Sequence, residues 1–356
     1  MSSKAVCQGI TGQVSEGVSE KVLPIVTIAA PLLNEASRLP LLLADIEAQT
    51  YPSDRLQVLL IDGGSEDGTM QLARQAAERN DSVEFVTNHR RLAAAALNLA
   101  LTQARGHYFM RIDARSRPAP DYITRAIQCL DGGEYAGVAG VQIAAGETRA
   151  GRIHALALNH PLGGGGAHYR SAKQCRESET LYLGFYSSEW LRRVGGWNVE
   201  YAANEDFELN TRIRQHGGRL LVDPGIHISY IVRDTIMGLA RQYAQYGAWR
   251  TVTWRRHRSA MRMRHLIPAI FTICLILGFG LLPWSIWPLV VVLAPYAIII
   301  FGVSFYLSLK HHLGYLPRLM VVFPTLHLSW GFAFWSAWIA PPTNTRKTTG
   351  QGLTMK

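Results

Sequence analysis

The chain has 356 residues, 48% of them hydrophobic, enough for one large core with an appendage. Its formal charge of +10 raises nucleic acid as a partner, but the arginines gather beside the apolar C-terminal third instead of lining a groove, which argues against that class. The four cysteines, Cys7, Cys129, Cys175 and Cys274, show no metal-ligand spacing and are expected as reduced thiols.

Met1 to Lys21 has no apolar h-region and is not a secretory signal, so the soluble part is expected to stay in the cytosol. From Pro24 onward, short β-rich runs alternate with helix-like stretches. The pattern predicts strands at Ile25–Ala30, Gln57–Ile61, Val83–Thr87 and Tyr108–Ile112, with helices at Leu39–Gln49, Thr69–Arg79 and Leu92–Arg105 between them. That alternation implies an α/β, Rossmann-like domain with a mainly parallel sheet covered by helices. Ligands of such sheets bind beyond the carboxyl ends of the strands, where Asn34-Glu35, Asp62 to Thr69 and Asp113 to Arg115 sit. Taken alone, Asp62 to Thr69 also reads as an ordinary strand-to-helix turn with Ser65 or Asp67 as cap.

The sequence after Asp131 is less regular. Gly163 to Gly166 followed by His168 to Thr180 is too polar and glycine-rich for a core element, which leaves a mobile loop over a site or an inert connection. Asn204-Glu205-Asp206-Phe207-Glu208-Leu209-Asn210 is expected to open a helix with Asn204 as N-cap. Phe207, Leu209, Ile213 and Leu220 supply its apolar positions, and Gly217-Gly218 stops it. The helix N-terminus favours an ionised Asp206. Acids in a first turn also serve the dipole alone, so this segment by itself leaves a chemical and a purely structural role open.

Residues 236–265 mix Arg250, Arg255, Arg256, Arg258, Arg262 and Arg264 with Leu239, Tyr243, Tyr246, Trp249, Trp254 and Met261. This composition suits basic amphipathic helices lying at an anionic bilayer surface. Leu266–Leu282, Trp284–Leu309 and Leu316–Ile339 are each near the roughly 20 apolar residues a membrane span requires, and none contains an acid. Pro283 and Pro288 make the first connection a tight turn, so the first two spans are expected to form a hairpin. Pro324 leaves the third open to being a broken or re-entrant segment. The arginines before the first span, with Lys310 and Arg318 after the second, follow the positive-inside pattern, whereas Arg346, Lys347 and Lys356 fall on the opposite side of three spans. The chain thus divides into a tail (1–23), an α/β domain (24–235), interfacial helices (236–265), a membrane region of about three spans (266–340) and a second tail (341–356).

Taken in order, Pro31 to Glu35, Leu60 to Thr69, Ala95 to Asn98, Arg111 to Arg115 and Asn204 to Asp206 resemble the family 2 glycosyltransferases over about residues 24–225. The likeness is greatest to the ExoA-like succinoglycan-biosynthesis subgroup, which shares the Asp-Gly-Gly-Ser variant, the Asn-Glu-Asp-x-Glu-Leu-Asn run and a membrane-bound tail. The resemblance implies a GT-A fold, a nucleotide-sugar donor and inversion at the anomeric carbon. By the same resemblance Asn34, Glu35 and Asp62 hold the nucleotide, although Gly63 stands where many members carry a second Asp. The family's Asp-x-Asp motif falls on Asp113-Ala114-Arg115. Asp113 is then the candidate for ribose and for a divalent cation, magnesium or manganese. Arg115 has no capacity to ligate metal, and it or Arg117 is expected on phosphate oxygens.

Inverting transfer needs a single base, for which Asp206 is the candidate and Glu205 the neighbour able to replace it or contact the acceptor. Gly184 matches a position where the family brings the acceptor against backbone; a simple turn glycine accounts for it equally. Arg241 to Arg250 faintly resembles the Gln-x-x-Arg-Trp element of processive synthases with its last two residue types reversed, and an amphipathic helix explains it as well. The expected activity is hexose transfer from a UDP-sugar to a polyprenyl-diphosphate-linked saccharide at the cytoplasmic face of the plasma or inner membrane, with no nucleic-acid partner. A polyprenyl-phosphate hexosyltransferase, or a non-catalytic membrane scaffold with a degenerate metal site, are the alternatives.

Overall fold

The computed structural model describes residues 22–165, 168–258 and 261–342. The tail to Lys21 with Cys7, and the cationic positions Arg346, Lys347 and Lys356, lie outside the described residues. The first half of the chain follows the expected alternation: β1 (Val26–Leu32), α1 (Leu39–Glu47), β2 (Leu56–Asp62), α2 (Thr69–Arg79), β3 (Val83–Thr87), α3 (Ala93–Gln103) and β4 (Tyr108–Arg111). β1 is nearly wholly buried and β2 wholly so, which is why their apolar runs do not alternate: helices cover both faces. These four strands are parallel in the order β3-β2-β1-β4. The register sets Leu32 beside Asp62, Asp62 beside Thr87 and Ala29 beside Arg111, so the tips of β1, β2 and β4 open on one edge.

Beyond β4 come β5 (Ser116–Pro118), α4 (Tyr122–Leu130), β6 (Gly137–Ala145), α5 (Arg149–Asn159), the one-turn helices α6 (Pro161–Gly164) and α7 (His168–Ser171), β7 (Arg176–Glu177), β8 (Phe185–Ser187), α8 (Ser188–Arg193), α9 (Glu205–Gln215) and β9 (Leu220–Ile231). Here the sheet becomes mixed. β8 runs antiparallel to both β4 and β6, β9 is parallel to β6, and β5 and β7 pair antiparallel with β9. The strand set beside β4 is the antiparallel β8, so the parallel order ends at β4. Leu220, expected in the helix, instead begins β9. The glycine-rich segment is packed in part: a Cβ at Gly163 would stand 2.2 Å from the Ala157 carbonyl oxygen, and Tyr169 stacks on Tyr182.

Two apolar cores flank the sheet, one with Leu39, Leu42, Tyr122 and Ile123, the other with Leu97, Phe109, Trp197 and Leu209. A third joins Ala144 and Val232 of the sheet region to Ile153, Leu239, Ile300, Leu319 and Phe323. It seats the domain on the C-terminal helices α10 (Ile236–Arg256), α11 (Met263–Gly280), α12 (Trp287–Lys310) and α13 (Leu316–Ile339). The last three lie in candidate spans long and apolar enough to cross a membrane. Their outward Leu277, Phe279, Trp287, Val291, Ile298 and Phe301 are exposed, as lipid-facing side chains are. α13 continues unbroken through Pro324, so the broken-segment alternative does not apply. α10 is one long helix packed along α13, where the expectation was surface helices: a Cβ at Gly247 would lie 2.1 Å from the Trp330 carbonyl oxygen, and Thr251 Oγ1 donates to the Phe334 carbonyl at 2.9 Å; α11 crosses α13 as closely, a Cβ at Gly331 falling 2.4 Å from the Pro268 carbonyl oxygen. Small residues at these crossings let the backbones approach.

Candidate active site

The turn after β2 is built around Asp62. Its Oδ2 accepts from the backbone N–H groups of Gly64 at 2.8 Å and Ser65 at 3.0 Å, while Oδ1 is buried without a hydrogen-bond partner among the described residues. Gly64 and Gly68 take φ of +78° and +95°, a region in which a side chain is strained. Neither Ser65 nor Asp67 caps α2 as expected; Gly68 occupies the N-cap. Those two side chains instead stitch the β2 turn to the β1 tip, Ser65 Oγ and Asp67 Oδ2 accepting from the N–H groups of Asn34 and Ala36. Asn34 Oδ1 returns the bond, accepting from the Glu66 N–H at 2.9 Å. Asn34 therefore has a loop-holding role in addition to any contact with a nucleotide.

Glu35 lies within electrostatic reach of Asp113 and Arg115. Burial pushes the Glu35 carboxyl above its ordinary value, Arg115, Arg38 and Arg233 pull it back, and Asp113 raises it. Beside Arg115 lies a cavity of about 220 Å³ lined also by Arg38, Glu147, Thr148 and Asp234. Arg38 is paired with Glu147 at 2.9 Å, whereas Arg115 makes no ion pair among the described residues. Arg117, expected as an alternative phosphate ligand, is bound to Asp45 and does not serve that role here.

Arg111 is the centre of the arrangement, and sequence reasoning gave it no role beyond opening the Arg111–Arg115 run. Its buried guanidinium donates from Nε and Nη2 to the two Asp113 oxygens at 2.9 and 3.2 Å, and from Nη1 to Glu205 Oε1 and Asp206 Oδ1, both at 2.8 Å. One cation thus draws the β4 carboxylate and the acidic start of α9 together. The available signal was the period of two: Arg111 and Asp113 fall on one side of an extended segment. Trp197 was also missed; its Nε1 donates to the same Asp206 Oδ1 at 2.9 Å. Asp206 Oδ2 is left without a hydrogen bond among the described residues, and the side chain keeps 18% exposure. Burial raises the Asp206 carboxyl most, Arg111 opposes it, the Glu205 carboxylate adds to the rise, and the result is a pKa of about 6.

Asn204 does not cap α9 with its side chain as expected. It sits at φ +61°, and its Nδ2 donates to the Tyr246 carbonyl on α10 at 2.9 Å. At Gly184 a Cβ would fall 2.3 Å from the Tyr186 ring, so packing within β8 accounts for that glycine. Asp62 stands on β2, two strand spacings from β4, which places it roughly 10 Å across the tips. Among the described residues no three His, Cys, Asp or Glu side chains converge as a metal site.

A model of glycosyl transferase family 2 matches residues 27–186. The succinoglycan biosynthesis protein ExoA of Rhizobium meliloti is 30% identical over 313 residues, which are 86% of this chain and 93% of that protein. The dolichyl N-acetyl-alpha-D-glucosaminyl phosphate 3-beta-D-2,3-diacetamido-2,3-dideoxy-beta-D-glucuronosyltransferase of Methanococcus voltae is 25% identical over 231 residues, 63% of this chain and 72% of that one. The mannosyltransferase PcManGT of Pyrobaculum calidifontis, solved in complex with GDP-Man and Mn2+, superposes with a TM-score of 0.58 at 20% identity, covering 94% of each chain, and shares the fold.

Proposed function

Taking as premise that this chain belongs to glycosyl transferase family 2, we propose that it moves a hexose from a UDP-sugar, with inversion, to a polyprenyl-diphosphate-linked saccharide. The observation that carries the reading is the Arg111 junction, which sets Asp113 beside an Asp206 whose Oδ1 is anchored and whose Oδ2 is open. Asp206 Oδ2 takes the proton of an acceptor hydroxyl as that oxygen attacks the anomeric carbon. The bond from that carbon to the diphosphate breaks on the opposite face, and UDP leaves with the electron pair. Arg111 and Trp197 fix the carboxylate's orientation, and the α9 N-terminus favours its anion. Glu205 adds negative charge beside it.

On the donor side, the free Asp62 Oδ1 is suited to accept from a base N–H, with Asn34 and Glu35 at the neighbouring strand tip. Arg115 faces the cleft as a partner for phosphate oxygens. The donor set fits a magnesium or manganese ion held by one protein carboxylate, Asp113, with diphosphate oxygens completing its shell. Such an ion would neutralise charge on the departing UDP. The three apolar helices and the arginines preceding them support a catalytic unit, residues 24–235, on the cytoplasmic face of the plasma or inner membrane.

The test is mass spectrometry of lipid-linked products from membranes offered a panel of nucleotide sugars, with and without chelator, for the wild type and Asp206→Asn. We expect product from a UDP-hexose and a fall on the order of 10² to 10⁴ in the variant. Wild-type transfer by Asp206→Asn would remove the base assignment, and product only from another nucleotide would remove the donor. A second reading, transfer to the lipid phosphate itself, draws on the unpaired Arg115 in the cleft; an anionic phosphate needs no base, so indifference to Asp206→Asn together with loss in Arg115→Gln selects it.

A further inference from the structure

Next to the Arg111 junction, against the following residue of α9, lies a second cationic cluster, and this one is short of anions. Arg250, on α10, has its Nε and Nη1 out of solvent and without a hydrogen-bond partner among the described residues, and so has Nε of Arg264. The Arg250 guanidinium lies 3.7 Å from the centroid of the Phe207 ring, whose other neighbour is the edge-on ring of His265. Arg262 Nε and Arg264 Nη2 share a single carboxylate, Glu179, at 2.8 and 2.9 Å. Three guanidinium groups therefore face one acid, leaving two positive charges over. Burial, with Arg264 beside it, lowers the Arg250 pKa to about 10. Unmet, desolvated guanidinium donors are strongly unfavourable unless an anion completes them.

Position indicates which anion. Arg262 to His265 stand at the start of the first membrane-length helix, Met263–Gly280, so the cluster sits where the domain meets the bilayer. Phe207 directly follows Asp206, and successive residues on a helix project about 100° apart. An anion against Arg250 thus lies beside the base and not at the oxygen it would deprotonate. A lipid phosphate that was itself the nucleophile would have to reach the anomeric carbon of the donor sugar, whereas a phosphate carrying a sugar belongs to the side. We propose that Arg250 and Arg264 form a subsite for the phosphate of a lipid-diphosphate-linked acceptor, holding it at the membrane edge while the attached sugar reaches Asp206. This rests on the acceptor class proposed above. The guanidinium fork matches phosphate oxygens in geometry and charge, and Phe207 supplies a flat apolar wall that fixes the Arg250 plane.

The experiment uses the full chain in detergent under saturating UDP, which fills the donor site, with farnesyl diphosphate as probe and thermal unfolding as readout. Farnesyl diphosphate should raise the unfolding midpoint of the wild type. Arg250→Gln and Arg264→Gln should each weaken its apparent affinity at least tenfold, with Arg250→Lys intermediate and UDP affinity unchanged in all three. Farnesol should not bind. Equal farnesyl diphosphate affinity in wild type and both Gln variants overturns the subsite, and inorganic diphosphate binding as tightly as the farnesyl form overturns the lipid assignment. Wild type that binds UDP but not farnesyl diphosphate defeats this inference alone; wild type that binds no nucleotide defeats the glycosyltransferase site on which it depends.

Discussion

Two arginines grip the first turn of α9 from different sides, and they differ in company. Arg111 meets Asp113, Glu205 and Asp206 at once; Arg250 meets the face of Phe207 and, among the described residues, makes no ion pair of its own, Glu179 being bound to Arg262 and Arg264. In the cleft the protein supplies both signs itself, so the geometry is set before any ligand arrives. At the membrane edge it supplies mainly one sign, and the arrangement is complete only with something from outside. A buried ion pair is costly to break from one end, whereas an unpaired buried cation is costly to keep.

The largest effect should come from breaking the cleft. Arg111→Gln leaves three carboxylates without their shared cation, and we expect a loss of about 3–5 kcal/mol, read as a lower thermal midpoint of the detergent-solubilised chain. Transfer should fall with it, because Asp206 loses both its orientation and the charge that opposes protonation. If Arg111→Gln is as stable as wild type, the three acids are held apart by other means and the junction is incidental.

Acid is the next probe, and it acts on one side only. The raised pKa of Asp206, about 6, means that the folded chain binds a proton more readily than the unfolded one between about pH 4 and 6. Its contribution to stability is thus fully present below about pH 4 and is lost as pH rises through 6. Transfer runs the other way: the base must be ionised, so the rate should fall about tenfold per unit below pH 6. Activity and stability should therefore slope oppositely across this window. Arg250, with its pKa at about 10, stays charged throughout. The charge on Arg250 accordingly adds no pH dependence to farnesyl diphosphate binding in this window, where the probe's own terminal phosphate titrates, and a rate that does not fall below pH 6 would show that Asp206 is not the titrating base.

The same contrast marks what the sequence discloses. Strands β1 to β4 were legible because a parallel, doubly covered sheet writes itself as apolar runs at regular spacing. β7 and β8, of two and three residues, carry no period, and their reversed direction follows from tertiary contacts alone. Asp62, Asp113, Glu205 and Asp206 were picked out as candidates by residue type and order. Arg111 was not, since its partners at Glu205 and Asp206 lie 94 and 95 residues away and a lone arginine in a strand announces no partner. Arg250 was noticed as one of a basic belt and as the end of a reversed Gln-x-x-Arg-Trp-like run, and Phe207 only as an apolar position. Their stacking depends on how α10 crosses α9, which no local pattern encodes.

Asn204 joins the two sides, because its side chain ties the start of α9 to the Tyr246 carbonyl on α10. Asn204→Ala removes that bond and keeps a side chain at φ +61°, and should cost about 2 kcal/mol, roughly half from each source. Asn204→Gly loses only the bond and should cost about 1 kcal/mol. Equal midpoints for the two variants would mean that the left-handed backbone carries no strain here.

The smallest expected change is the most discriminating. Arg250→Leu exchanges a buried cation without a hydrogen-bonded anion for an apolar side chain, giving up an attraction to Phe207 of about 0.5–2 kcal/mol while removing a desolvation cost at least as large. The empty protein should be as stable as wild type or somewhat more so, against the large loss for Arg111→Gln. A residue kept for folding would behave like Arg111; one kept for a ligand can be removed from the empty protein with little consequence. Should Arg250→Leu destabilise the chain as severely as Arg111→Gln, Arg250 would be a structural cation, and the asymmetry between the two sides of α9 would disappear.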